Sequence, residues 1–78
     1  MKIEERVLSI VRDNTEEKQA VTLASDLRKE LRLDSFGTLM VLNAIEDSFG
    51  ISVDEEDFRR VNTVSDVVGL LTTKYQCA

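Results

Sequence analysis

Residues 34–50 read DSFGTLMVLNAIEDSFG, and one tetrapeptide, DSFG, both opens and closes the stretch. The two copies have opposite parts in a single helix. Asp34 suits an N-cap, because its carboxylate accepts a hydrogen bond from the free N–H groups of a first helical turn. Gly50 suits a stop, because glycine enters the left-handed conformation at helix ends without a steric penalty. Between them Val41, Leu42, Ile45 and Phe49 fall within about one third of the helical circle. They form the buried face of a helix over 35–49. The repeat is coincidence rather than duplication, with Ser35 and Ser48 near opposite poles of one element.

This helix carries more apolar surface than one buried stripe requires. Phe36, Leu39 and Met40 lie on the other side, beside Ser35 and near Asn43 and Asp47. Two arrangements accommodate them. Either the leucines of the preceding loop cover this face, or it is a docking patch rimmed by negative charge, the usual composition of a protein interface. In the second arrangement Phe36, Leu39, Met40 and Asp47 are the partner-binding residues.

Outward from this helix the chain remains helical. Ile3, Val7, Ile10 and Val11 share one face and predict a helix over 3–13. DEEDFRRV, 54–61, has acids first and arginines last, as a helix dipole prefers. Val64, Val67, Val68, Leu71 and Tyr75 form a stripe over 64–75, opened by a Thr63–Asp66 capping box. Residues 15–33 are a long connection. NTEEKQ reads as polar loop, and TLASDLRKEL holds a short helical turn with Ser25 as its cap. Leu23, Leu27, Leu31 and Leu33 are expected to tuck inward. With no proline, three glycines and no period-2 alternation, the fold class is all-α. The expectation is one domain over 1–78, a four-helix bundle with a long first loop and a short third helix. Val7, Leu42, Ile45, Phe49, Val67 and Leu71 are its expected core.

Charge narrows the partners. The formal net charge is −5, and it lies in the middle third. Residues 1–33 hold seven acids and seven bases, whereas 34–58 hold seven acids and no Lys or Arg. Phosphate backbones are repelled by such a surface, so no nucleic-acid partner is expected. A basic protein surface is attracted. No apolar run is long enough for a membrane span, and the charged start lacks the apolar block of a secretory signal. A cytoplasmic monomer is expected. The single Cys77 has no partner for an internal disulfide, as suits a reducing compartment. It is expected to be an exposed thiol at a frayed end.

Ser35 is poorly placed to be a nucleophile. A catalytic serine needs a base, usually histidine, and the chain has none. The GxSxG elbow is absent. The run from Asp13 through Thr15 and Glu17 begins like a calcium loop, but Lys18 stands where that loop needs glycine. No catalytic residue and no metal site is expected. What remains for Ser35 is helix capping together with Asp34, or modification by a group whose phosphate would face the positive end of the helix.

LRLDSFGTLMVLNAIEDSFGISVDEEDF, 31–58, followed by VNTVSDVVGLL, 61–71, resembles the acyl carrier protein family over nearly the whole chain. The resemblance implies an acyl-carrier-like bundle in which phosphopantetheine is esterified to Ser35 and ends in a thiol that holds an acyl or aminoacyl group. It implies that Asp34 supports the modifying enzyme's magnesium, and that the helix after the serine recognises partners. Those partners would be a phosphopantetheinyl transferase, an acyl- or aminoacyl-loading ligase, and downstream transferases or synthases. Some positions depart from the family pattern. Phe36, Gly37 and Met40 replace the residues typical of carriers in bulk fatty acid synthesis, and LDSFGT looks more like D-alanyl carriers and carriers of dedicated pathways. Arg32 stands where many relatives have glycine. Asp54 stands where proline is frequent. The expectation is a dedicated carrier; a D-alanyl or peptidyl carrier loaded by an adenylating enzyme and an unmodified acidic helical adaptor are the alternatives.

Overall fold

In the computed structural model, which describes residues 2–77 apart from the Ala20 side chain, the helices are α1 (Ile3–Asp13), α2 (Ser35–Phe49), α3 (Glu55–Arg59) and α4 (Val64–Thr73). A 3-10 turn at Lys18–Ala20 interrupts the long first loop, where the sequence suggested only polar coil. α1 lies against both α2 and α4. Val7, Val11, Val41, Ile45, Val64 and Val67 are wholly buried between them.

The α2 boundaries fall where the two DSFG copies place them. Asp34 Oδ1 accepts the Gly37 N–H at 2.7 Å, and Gly50 adopts φ 66° while its N–H bonds to the Glu46 carbonyl. α3 is shorter than the 54–61 expected. Asp54 is its cap, accepting the Glu56 N–H at 2.8 Å, and the helix stops at Arg59. The position that proline often fills has a second use here. The Asp54 N–H donates to the Tyr75 hydroxyl at 2.8 Å, a bond that proline cannot make. α4 opens with the expected capping box between Thr63 and Asp66 but ends at Thr73. Tyr75 therefore lies beyond the helix, half-buried, with its hydroxyl donating to Asp57 at 3.0 Å.

The first loop is held by backbone pairing. Leu27 N–H bonds to the Asn62 carbonyl, Val64 N–H to the Ser25 carbonyl, and Ser65 N–H to the Leu23 carbonyl. An isolated antiparallel bridge joins Asp26 to Thr63. Buried Leu27, Leu31 and Leu33 complete the anchorage, as their spacing suggested. Leu23 does not turn inward. It sits inside a turn closed by the Ser25 N–H on the Thr22 carbonyl, and 39% of it is exposed. Ser25 is not the cap of the following turn either. It is buried, with its Oγ accepting the Thr22 N–H, and Asp26 caps that turn through the Arg28 and Lys29 N–H groups.

Two further expectations change at the margins of the core. Phe49 is half-buried, since it ends α2 where the core tapers, and the Arg6 guanidinium lies 4.0 Å from its ring centre. Cys77 is not at a frayed end. Its N–H bonds to the Leu71 carbonyl and it packs half-buried against the core.

Three carboxyls make folding sensitive to acid. The Lys29 N–H at Asp26, the Lys74 ammonium at Asp57, and the Thr63 and Asn62 N–H groups at Asp66 each hold the carboxyl below its ordinary 3.8. A carboxyl lowered in the folded state stabilises the fold above the unfolded value and loses that effect as pH falls through the folded one. The urea midpoint is therefore expected to hold steady from about pH 7 to 5 and to fall below about pH 4, which a denaturation series checks.

Candidate functional site

Ser35 is the first residue of α2 and is exposed. Its cap, Asp34, uses Oδ1 on Gly37 and its carbonyl on the Thr38 N–H at 2.8 Å. Among the described residues the Ser35 and Phe36 N–H groups have no partner, as expected of a helix start. The Ser35 hydroxyl also has none, so it takes no part in capping. Gly37 keeps this turn tight: a Cβ there would lie 3.1 Å from the Leu33 side chain and 3.3 Å from Asp34 Oδ1.

An open groove of about 590 Å³ begins at Asp34 and Ser35 and runs between α2 and α3. Leu33, Leu39, Leu42 and Phe58 supply its apolar lining, and Arg28, Glu55 and Arg59 its polar edge. Arg28 is fixed there because its guanidinium donates to the Val61 carbonyl at 2.7 Å. Thr15, hidden in a stretch that reads as polar coil, supports the approach to Ser35. It is buried, and its hydroxyl donates to the Leu31 carbonyl at 2.9 Å. Only a β-branched polar residue amid charged ones hinted at this role.

The backbone enters the site through Arg32, at φ 57°. This is the left-handed region, which costs a residue with a Cβ about 1–2 kcal/mol. The loop keeps a shape suited to glycine although arginine fills the position. Arg32→Gly is therefore expected to stabilise the fold by about 0.5–1 kcal/mol, the strain relief exceeding the extra chain entropy of glycine. Thermal unfolding checks this, and a lower melting temperature would contradict it.

The loop leucines do not cover the second face of α2. Phe36 is 70% exposed, Leu39 43% and Met40 40%, with Asp47 exposed further along. The face is shared between two grooves. Leu39 turns to the one that holds Ser35, while Phe36 and Met40 border another, beside the end of α1. Among the described residues no group of His, Cys, Asp or Glu is arranged to hold a metal ion, and no helix is long and apolar enough to cross a membrane.

Known proteins share this architecture and sequence. The family model described as "Phosphopantetheine attachment site" matches residues 5–71. An acyl carrier protein of Rickettsia bellii is 34% identical over 71 residues, spanning 88% of this chain and 86% of its own length. One from Rickettsia canadensis is 32% identical over 68 residues, spanning 86% and 79%. A solved candidate acyl carrier protein from Mycobacterium tuberculosis superposes with a TM-score of 0.80 at 24% identity, over 87% of this chain and 92% of that one. That likeness concerns the fold: four helices, a long loop after the first, and a short third helix. Family model and relatives together place the chain in the acyl carrier protein family, non-catalytic proteins that bear phosphopantetheine.

Proposed function

We propose that Ser35 Oγ is the attachment point of phosphopantetheine and that the protein presents acyl or aminoacyl groups in a dedicated pathway rather than in bulk fatty acid synthesis. One observation carries the attachment reading: an exposed hydroxyl with no internal partner, at the start of a 15-residue helix where two N–H groups are also free. Those N–H groups and the helix dipole favour the phosphodiester that the modification leaves on Ser35. Asp34 holds the first turn in place through Oδ1, and Oδ2 is left to assist the magnesium of the modifying transferase.

When attached, the group supplies a thiol that holds the cargo as a thioester. The chain contributes by fixing where that thiol is tethered. A tether raises the effective concentration of cargo at a docked enzyme without any reaction on the carrier itself. The groove beside Ser35 offers the arm both apolar and polar walls. The partners in this reading are a phosphopantetheinyl transferase, a loading ligase, and the transferases or synthases that take the cargo. Phe36, Leu39, Met40 and Asp47 form the face they approach. We also read residues 1–78 as one carrier domain that acts as a monomer.

Support for a dedicated pathway comes from α2 itself, which has no acid in its first turn, where Phe36 and Gly37 stand, and carries Met40 in its second. LDSFGT favours a second reading, a D-alanyl or peptidyl carrier charged by an adenylating enzyme. Coexpression with a broad-specificity phosphopantetheinyl transferase, followed by intact mass, tests the carrier reading: one phosphopantetheine is expected. No gain, where a known carrier is modified, would leave an unmodified acidic adaptor. Incubating the product with acyl ligases and amino-acid adenylating enzymes then separates the two cargo readings.

A further inference from the structure

The acids of residues 34–58 are mostly engaged within the fold. Asp34 and Asp54 cap helices. Glu46 accepts the Val53 N–H, and Asp57 holds Lys74 and Tyr75. The two cations that line the groove of Ser35 differ from each other. Arg59 is exposed and faces Glu55 and Glu56, at 3.7 and 3.1 Å. Arg28 is half-buried and, among the described residues, has no carboxylate within ion-pair distance. The two acids closest to it in sequence serve the backbone instead. Asp26 Oδ1 accepts the Arg28 and Lys29 N–H groups, and Glu30 accepts the Asp26 N–H.

Neutral groups hold Arg28 in place. Its guanidinium donates to the Val61 carbonyl at 2.7 Å and to the Arg59 carbonyl at 3.4 Å. Carbonyls fix the position of a cation without cancelling its charge, and the remaining N–H donors of the planar fork are left for a ligand. The apolar wall of the same groove is Leu33, Leu39, Leu42 and Phe58. An uncompensated, half-buried cation thus stands against an apolar wall, in a space that opens at Ser35. A plain alkyl chain lying there would strip water from the free donors without replacing its hydrogen bonds. A cargo with an ammonium group would meet like charge. A carboxylate pairs with such a fork through two parallel hydrogen bonds.

Resting on the reading of Ser35 as attachment point, we propose that the cargo is a dicarboxylic acid held as a half-thioester, and that Arg28 binds its free carboxylate while its methylene chain lies along the leucines and Phe58. Asp34 and Glu55 also line the groove. Their charge disfavours a carboxylate beside Ser35 or at the start of α3, although Arg59 partly offsets Glu55. The seat that remains is Arg28, anchored on carbonyls at and just past the end of α3. The arm brings one other anion, its own phosphate, and an arm without cargo separates the two.

The test charges the full chain with a broad-specificity phosphopantetheinyl transferase and coenzyme A thioesters, so that arm and cargo arrive together. Two cargoes of the same outline are compared. Adipyl ends in a carboxylate, and 6-methylheptanoyl ends in a neutral isopropyl group. At low salt wild type is expected to melt about 4–6 °C higher with adipyl than with 6-methylheptanoyl. The difference should shrink below about 1 °C in Arg28→Gln and persist in Arg59→Gln, whose side chain already has acidic partners. Each variant is compared with itself, so the cost of losing the Val61 contact cancels. A second readout needs no variant: the side-chain 15N resonance of Arg28 should move with adipyl, and not with 6-methylheptanoyl or the bare thiol arm. Equal melting of the two wild-type forms, a difference that survives in Arg28→Gln, or a resonance that moves as far with the bare arm would overturn the cargo proposal alone. A wild-type chain that gains no mass from any coenzyme A thioester would instead overturn the attachment reading and the cargo proposal with it.

Discussion

Ser35→Ala is expected to abolish phosphopantetheine attachment while leaving the fold intact. The stability half follows from position. Ser35 follows the cap rather than being the cap, its hydroxyl has no internal partner, and its side chain is exposed. Alanine is a good helix former, so the change should stay within about 0.5 kcal/mol. The chemical half follows from the lost oxygen, the only atom of this residue able to form the phosphoester. Ser48, in the mirrored DSFG, is the natural control. It lies in the last turn of α2, at the negative end of the dipole, and its Oγ accepts a hydrogen bond from Arg6 at 2.8 Å. Ser48→Ala should be modified like wild type. Circular dichroism and intact mass on both variants check the prediction, and modification surviving in Ser35→Ala would contradict it.

The largest effect on stability is expected at Ile45. It is wholly buried on the inward face of α2, one turn after the equally buried Val41. Truncating a buried isoleucine to alanine removes its transfer free energy and leaves a cavity, at a cost of about 2–5 kcal/mol. The surroundings have little scope to collapse, because β-branched Val7, Val11, Val64 and Val67 are also fully buried. A value of about 3–4 kcal/mol is expected, out of a total of roughly 4–12 for a chain of this size. The melting temperature would drop by about 15–25 °C. Phe36→Ala, on the opposite face of the same helix, should cost less than about 0.5 kcal/mol despite removing more atoms. Similar costs at the two positions would contradict the division of α2 into inner and outer faces.

Features fixed by local chemistry were legible in the sequence. Asp34 and Gly50 bound α2 because capping and the left-handed conformation depend on single residues, and Thr63 with Asp66 opens α4 for the same reason. The exposed place of Ser35 followed from those boundaries. Features fixed by tertiary pairing were less legible. Leu23 is apolar, yet a turn aims it at solvent. Ser25 is a good cap residue, yet Asp26 does the capping while Ser25 is buried against Thr22. The backbone pairing that holds the first loop joins residues about forty positions apart, and no periodicity announces it. Cys77 and Tyr75 pack against a core whose edge is settled by where α4 ends. The free charge was misplaced by composition alone, because counting acids in 34–58 does not reveal how many of them already have partners inside the fold.

The central claim is that Ser35 bears the arm, and the most direct measurement locates the modification in the wild-type chain. After coexpression with the transferase, trypsin should release the peptide spanning 33–59, which contains Ser35, Ser48 and Ser52. Fragmentation of that peptide should place a single phosphopantetheine on Ser35. Its presence on Ser48, on Ser52 or on any other peptide would contradict the account.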